Sequence, residues 1–231
     1  MSKNMKTDAM EFDFGAGYGW DDVTDEQAGE LMRHLPLNIE ELKIDNYSHG
    51  TLLIDGITKW IEKSQNLKAL KFWNTTVGSS EAGARMAKAL PQDNIVDLYL
   101  CYTDIVQSTN AEEWGETLGK MKSLKNLSIY GKGGGGQEYN PMPLDGGIQI
   151  FEGVANSVSL QRIDMGYNGY GKEVIAALGN ALNKNHTITK VSIEELESEM
   201  KDDVKAAVEK LNEDMKDRTP KVDIGYCSCK Y

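Results

Sequence analysis

One spacing constrains this chain more than any other feature. The pattern apolar-x-x-apolar-x-apolar occurs at Ile39, Leu42, Ile44, then at Leu67, Leu70, Phe72, then at Ile95, Leu98, Leu100. It continues at Leu124, Leu127, Ile129, at Leu160, Ile163, Met165 and at Ile188, Val191, Ile193. The first positions of successive copies lie 28, 28, 29, 36 and 28 residues apart, a series that chance does not produce. The last two apolar positions of each copy are two residues apart, the period of a strand with one buried face. Helical spacing follows in Leu53, Ile57, Ile61, in Ala82, Met86, Leu90 and in Val174, Leu178, Leu182, all running i, i+4, i+8.

A unit of one short strand and one helix cannot bury its own apolar faces, so such units stack. The strands then form a parallel sheet with the helices behind it. Because a helix is wider than a strand, the stack is expected to bend into an α/β solenoid, a curved horseshoe arc. Phe12 and Phe14 lie 30 residues before Leu42 and Ile44, and Val222 and Ile224 lie 31 after Val191 and Ile193. Read as imperfect first and last strands, they bring the expected total to eight. A final helix is expected over Glu199–Met215, with Met200, Val204, Val208, Leu211 and Met215 on its apolar face and charge elsewhere. The chain reads as one domain. Residues 1–37 form an N-terminal capping repeat, 38–193 the regular repeats with a glycine-rich insertion at 131–145, and 194–231 a helix and capping strand.

The run from Ala177 to Ile193, ALGNALNKNHTITKVSI, resembles the ribonuclease-inhibitor-like class of leucine-rich repeat. In that class a helix ending A-L-x-x-A-L leads into x-x-N-x-T-L-x-x-L-x-L. Glu81 to Leu100 is similar, with Ala87-Lys88-Ala89-Leu90 leading to Ile95. The resemblance covers nearly the whole chain and implies an architecture rather than one function. Proteins with such repeats use the concave face to hold other proteins. The expectation is therefore an interaction module: a scaffold, an adaptor or a subunit of a larger complex. Some relatives activate a GTPase or cap actin, which gives a narrower alternative.

If the strand positions named above point inward, their alternates face the concave side. These are Glu41, Lys43 and Asp45; Ala69, Lys71 and Trp73; Asp97, Tyr99 and Cys101; Asn126, Ser128 and Tyr130; Arg162 and Asp164; Lys190, Ser192 and Glu194. Trp73, Tyr99 and Tyr130 come from consecutive strands, with Tyr102 and Tyr167 just beyond strand ends. Trp and Tyr give large contact area at low entropic cost and keep a polar handle. The candidate protein-binding residues are Lys43, Lys71, Trp73, Tyr99, Tyr102, Tyr130, Arg162, Asp164 and Tyr167. The insertion Gly131–Pro143, with four consecutive glycines, is a second candidate surface.

Charge narrows the partner. The chain holds 36 acidic and 25 basic residues, net −11, which argues against nucleic acid or an anionic membrane and favours a basic or mixed-charge protein surface. No apolar run is long enough for a signal peptide or a bilayer span, and three cysteines (Cys101, Cys227, Cys229) suit a reducing compartment. A cytoplasmic protein is expected, either monomeric or part of a hetero-complex.

A rival reading starts at Glu11-Phe12-Asp13-Phe14-Gly15-Ala16-Gly17-Tyr18-Gly19, which resembles the first motif of S-adenosylmethionine-dependent methyltransferases. There an apolar strand and an acidic residue precede G-x-G-x-G, and an acidic residue ending the next strand, here Asp45, binds ribose. Against it, the later strands keep one register and alternate apolar with polar, whereas a doubly wound sheet reads as continuous apolar runs. No catalytic residues, cofactor or metal are expected: His34, His49 and His186 lie far apart, and Cys227-Ser228-Cys229 offers only two ligands.

Overall fold

The computed structural model describes residues 8–15, 23–48, 50–131, 144–166, 168, 171–193 and 202–225. Its strands are β1 Ala9–Asp13, β2 Glu41–Asp45, β3 Ala69–Trp73, β4 Asp97–Cys101, β5 Asn126–Tyr130, β6 Arg162–Asp164, β7 Lys190–Ser192 and β8 Asp223–Gly225. Its helices are α1 Asp25–Arg33, α2 Thr51–Ile61, α3 Ser80–Ala89, α4 Ala111–Lys120, α5 Leu144–Val154, α6 Lys172–Lys184 and α7 Asp202–Met215. A 3-10 turn, Ser108–Asn110, precedes α4. The eight strands form one all-parallel sheet in chain order, and each helix contacts the next from α1 to α7.

The repeat spacing sets the register. Leu42, Leu70, Leu98, Leu127, Ile163 and Val191 stand directly opposite one another across six strands. With Ile44, Phe72, Leu100 and Ile129 they join the buried helix residues in one continuous apolar core. The two end strands differ from the expected alignment by two residues. Met10 rather than Phe12 pairs with Leu42, and Ile224 rather than Val222 pairs with Val191. A shift of two keeps every side chain on its own face, so the alternation could not separate the two registers. Phe14 instead lies beyond β1, buried, with its ring 4.6 Å from that of Tyr47.

Local chemistry starts and ends the helices. Thr24 and Gln27 form a reciprocal capping box on α1, and the Ser79 hydroxyl accepts from the Ala82 N–H at the head of α3. Helix α2 begins at Gly50, which offers no capping side chain. Asp25 of α1 does that work, accepting the N–H groups of Leu52 and Leu53 at 2.8 and 3.0 Å. At the turns before the strands, Asn66, Asn94, Ser123, Ser159 and Thr187 each donate to a backbone carbonyl of the preceding unit. Asn185 is buried and saturated. Its amide donates to the carbonyls of Val154 and Ser157, and its oxygen accepts from both Thr187 groups and from the Ile188 N–H.

Two helix pairs touch backbone to backbone. A methyl on Gly56 would stand 2.2 Å from the Gly29 carbonyl oxygen, and one on Gly153 would stand 1.9 Å from that of Gly115. The α1–α2 and α4–α5 layers close on these glycines. At the other end Arg218 donates to the carbonyls of Leu182, Asn185, Ile188 and Pro220, satisfying the end of α6 and the turn into β7.

Candidate functional site

Strand alternation leaves three rows of side chains on the sheet face turned away from the helices. The first runs Glu41, Ala69, Asp97, Asn126, Arg162, Lys190, Asp223. The second runs Glu11, Lys43, Lys71, Tyr99, Ser128, Asp164, Ser192, and the third Asp13, Asp45, Trp73, Cys101, Tyr130. All the interior positions expected on this face stand there, apart from Glu194, which lies outside the described residues.

The rings gather at the carboxyl end of β3–β5. Trp73, Tyr99 and Tyr102 pack against buried Cys101 and Tyr130, in a cluster separate from the main core. Trp73 and Tyr102 meet edge to face with centroids 4.5 Å apart, and Tyr102 is 6.1 Å from Tyr130. The structure therefore brings four of the five expected rings together; Tyr167 lies outside the described residues. It corrects their exposure, however. Tyr130 is only 1% exposed and Asp164 3%, so neither offers surface to a partner. A Cβ on Gly166 would touch the Tyr130 ring at 2.6 Å, because that residue's lack of a side chain makes room for the ring. Trp73, Tyr99 and Tyr102 are half-buried.

Backbone strain falls in the same place. Asn46, Asn74 and Tyr102 occupy the same position of successive units, one residue past the strand, with φ of 57°, 48° and 54°. Asparagine tolerates this left-handed region, but a bulky residue is an outlier there. The two asparagines also form a ladder: Asn74 donates to Asn46, and Asn46 donates to Asp13, which holds the Asp13 carboxyl below its ordinary value. Tyr102 ends the ladder and places a ring on Trp73 instead. Such strain tends to persist at functional positions. The 28-residue spacing of these three residues is visible in the sequence, but it carries no sign of a left-handed backbone.

Three cations of this face are engaged in ion pairs. Lys43 bonds Glu11 and Asp45 at 2.8 and 2.6 Å, Lys71 bonds Glu41 at 2.6 Å, and Arg162 bonds Asp164 at 2.8 Å. The Lys71 ammonium also stands 5.5 Å above the Tyr99 ring. Carboxylates outnumber cations. In the described strands this face carries seven (Glu11, Asp13, Glu41, Asp45, Asp97, Asp164, Asp223) against four (Lys43, Lys71, Arg162, Lys190). Asp45 and Asp164 are buried, and one oxygen of each, Oδ1, has no hydrogen-bond donor. Burial pushes the Asp45 carboxyl up despite Lys43, and burial, then Asp97, push the Tyr99 hydroxyl up. Burial raises the Cys101 thiol to about 12, which makes it inert rather than nucleophilic.

Among the described residues no group of three or more His, Cys, Asp or Glu is placed to hold a metal, and no helix is long and apolar enough to cross a membrane. The loop containing Gly17 and Gly19, residues 132–143 of the insertion, and Cys227 and Cys229 lie outside the described residues. No family model matches the chain, and no curated protein matches it.

Proposed function

We propose that this chain is a leucine-rich-repeat protein of the ribonuclease-inhibitor-like class, an arc-shaped solenoid that binds another protein on its concave face. On this reading it serves as a scaffold, an adaptor or a subunit of a larger complex in the cytoplasm. The observation that carries the proposal is the cluster of Trp73, Tyr99 and Tyr102 on the helix-free face, with Tyr102 held at a φ of 54°. Half-exposed aromatic rings seated on a rigid sheet are what binding hot spots are made of. The in-register stacking of one strand per 28-residue unit supports the solenoid.

A cofactor-dependent methyltransferase is disfavoured by the strand order. Nucleotide cofactors sit where the order of a parallel sheet reverses, and β1 to β8 run in sequence without reversal. The GTPase- and actin-regulating alternatives have no observation in their favour.

The experiment is affinity capture from source-cell lysate with the full chain and with a Trp73→Ala, Tyr99→Ala double variant. Both changes leave the main core and the charge untouched, so the variant should keep its far-ultraviolet dichroism. A stoichiometric protein retained by the parent chain and lost by the variant is the expected result. Equal capture by both chains would remove this face as the binding surface. A thermal-shift scan with S-adenosylmethionine runs alongside, and a clear stabilisation with no captured protein would favour the enzyme.

A further inference from the structure

We propose that the partner of this face is a basic protein segment, and that Tyr99 is where one of its arginine or lysine side chains seats. This rests on the binding-face reading and narrows it to a chemistry.

Three observations lead there. The first is that the Tyr99 ring already receives a cation from within the chain, the Lys71 ammonium 5.5 Å from its centroid. An aromatic face attracts cations through its quadrupole, and a guanidinium stacks on such a face better than an ammonium does. The second is the composition of the rim. Tyr99 is flanked across the sheet by Lys71 and Ser128, and along its own strand by Asp97 and Cys101. Lys71 and Arg162 are neutralised by Glu41 and Asp164, so the acidic surplus of the face is what an approaching chain meets.

The third is a shortage of donors. Asp164, 3% exposed and two strands from Tyr99, gives one oxygen to Arg162 Nε and the Ser128 hydroxyl, and its Oδ1 has no donor. Asp45 repeats this on the other side of the cluster, bonded to Lys43 through Oδ2 with Oδ1 unpaired. Buried acceptors without donors are rare in native proteins, and two of them bracket one aromatic cluster here. Both oxygens are enclosed, so a partner acts on them through charge and not through contact: an acidic segment would add like charge to both flanks, and a basic one offsets it.

Capped hexa-arginine amide and hexa-glutamate amide peptides serve as probes, titrated into the full chain at physiological ionic strength. Three chains are compared: the parent, Tyr99→Leu, which removes the π face without changing charge, and a Glu112→Gln, Glu116→Gln double variant on helix α4. The expected result is binding of hexa-arginine and not of hexa-glutamate. Tyr99→Leu should weaken that binding roughly 3- to 30-fold, the range a cation–π contact accounts for, and the α4 variant should change it less than about 2-fold. Equal weakening by the α4 variant with none from Tyr99→Leu would mean diffuse attraction to an acidic chain, and the inference would fail. A preference for hexa-glutamate would also overturn it. Either failure leaves the binding-face reading standing if lysate capture still depends on Trp73 and Tyr99.

Discussion

Two glycine-to-alanine substitutions, chemically identical and both in helices, should move stability in opposite directions. At Gly153 of α5 the new methyl would stand 1.9 Å from the Gly115 carbonyl oxygen, 2.2 Å from its carbon and 2.5 Å from its Cα. Non-bonded carbon contacts settle near 3.5 Å, so α4 and α5 must part by more than about 1 Å. No rotamer can relieve the clash, because all three atoms are backbone. Separation also loosens Trp114 and Leu118 of α4 from Ile150, Phe151 and Val154 of α5, all of them buried. Overpacking of this kind costs about 3 kcal/mol or more, against about 1 kcal/mol returned by the better helix propensity of alanine. The net loss of about 2–3 kcal/mol corresponds to a Tm lower by roughly 5–10 °C in a chain of this size. At Gly179 of α6 the new methyl meets only the Leu211 Cδ1 at 3.1 Å, the far end of a flexible side chain. There the propensity gain prevails, and the variant should match or exceed the parent by up to about 1 kcal/mol. Urea and thermal denaturation followed by far-ultraviolet dichroism read both. A Gly153→Ala chain melting within about 2 °C of the parent, or a Gly179→Ala chain falling as far as Gly153→Ala, would refute the close-contact argument.

Three further outcomes follow from the hydrogen bonds and burial. Asn185→Ala strands two carbonyls and two N–H groups in the turn between α6 and β7; a loss of about 3 kcal/mol is expected by urea denaturation, and less than about 1 kcal/mol would contradict the network. Asp25→Ala removes the only described side-chain cap of α2, costing about 1–2 kcal/mol with faster amide exchange at Leu52 and Leu53; unchanged exchange there would refute the capping role. In a Cys227→Ser, Cys229→Ser background, Cys101 should resist a thiol reagent at pH 8 until the chain unfolds, with roughly a thousandth of the thiolate of a free cysteine. The sign of its pH effect follows: the unfolded thiol releases its proton near 9 and the folded one near 12, so stability falls as pH rises between them. Rapid labelling of the folded chain would show that Cys101 is not enclosed.

Much of the architecture was legible because the repeat is an energetic statement. Leu42, Leu70, Leu98 and Leu127 recur at one spacing since each must enter the same core from the same strand position, and parallel in-register pairing follows. The same parity placed Lys71, Tyr99 and Arg162 on the helix-free face. It failed at the ends. For β1 and β8 a two-residue shift preserves the face, and only packing chose Met10 over Phe12 and Ile224 over Val222.

The sequence by itself determined the unit, its length and which face each strand residue takes, because these depend on covalent geometry and apolar periodicity. The tertiary structure alone decided what happens between units. It buried Tyr130 in the space left by Gly166, set Asp25 on the head of a helix 27 residues away, and closed α4 on α5 through Gly115 and Gly153. It also placed Tyr102 in the left-handed region, where two asparagines occupy the equivalent positions. Such features depend on distances between residues far apart in the chain, which no local pattern encodes. The ring cluster belongs to both accounts: its members were readable from the spacing, and which of them stay partly exposed was set by packing.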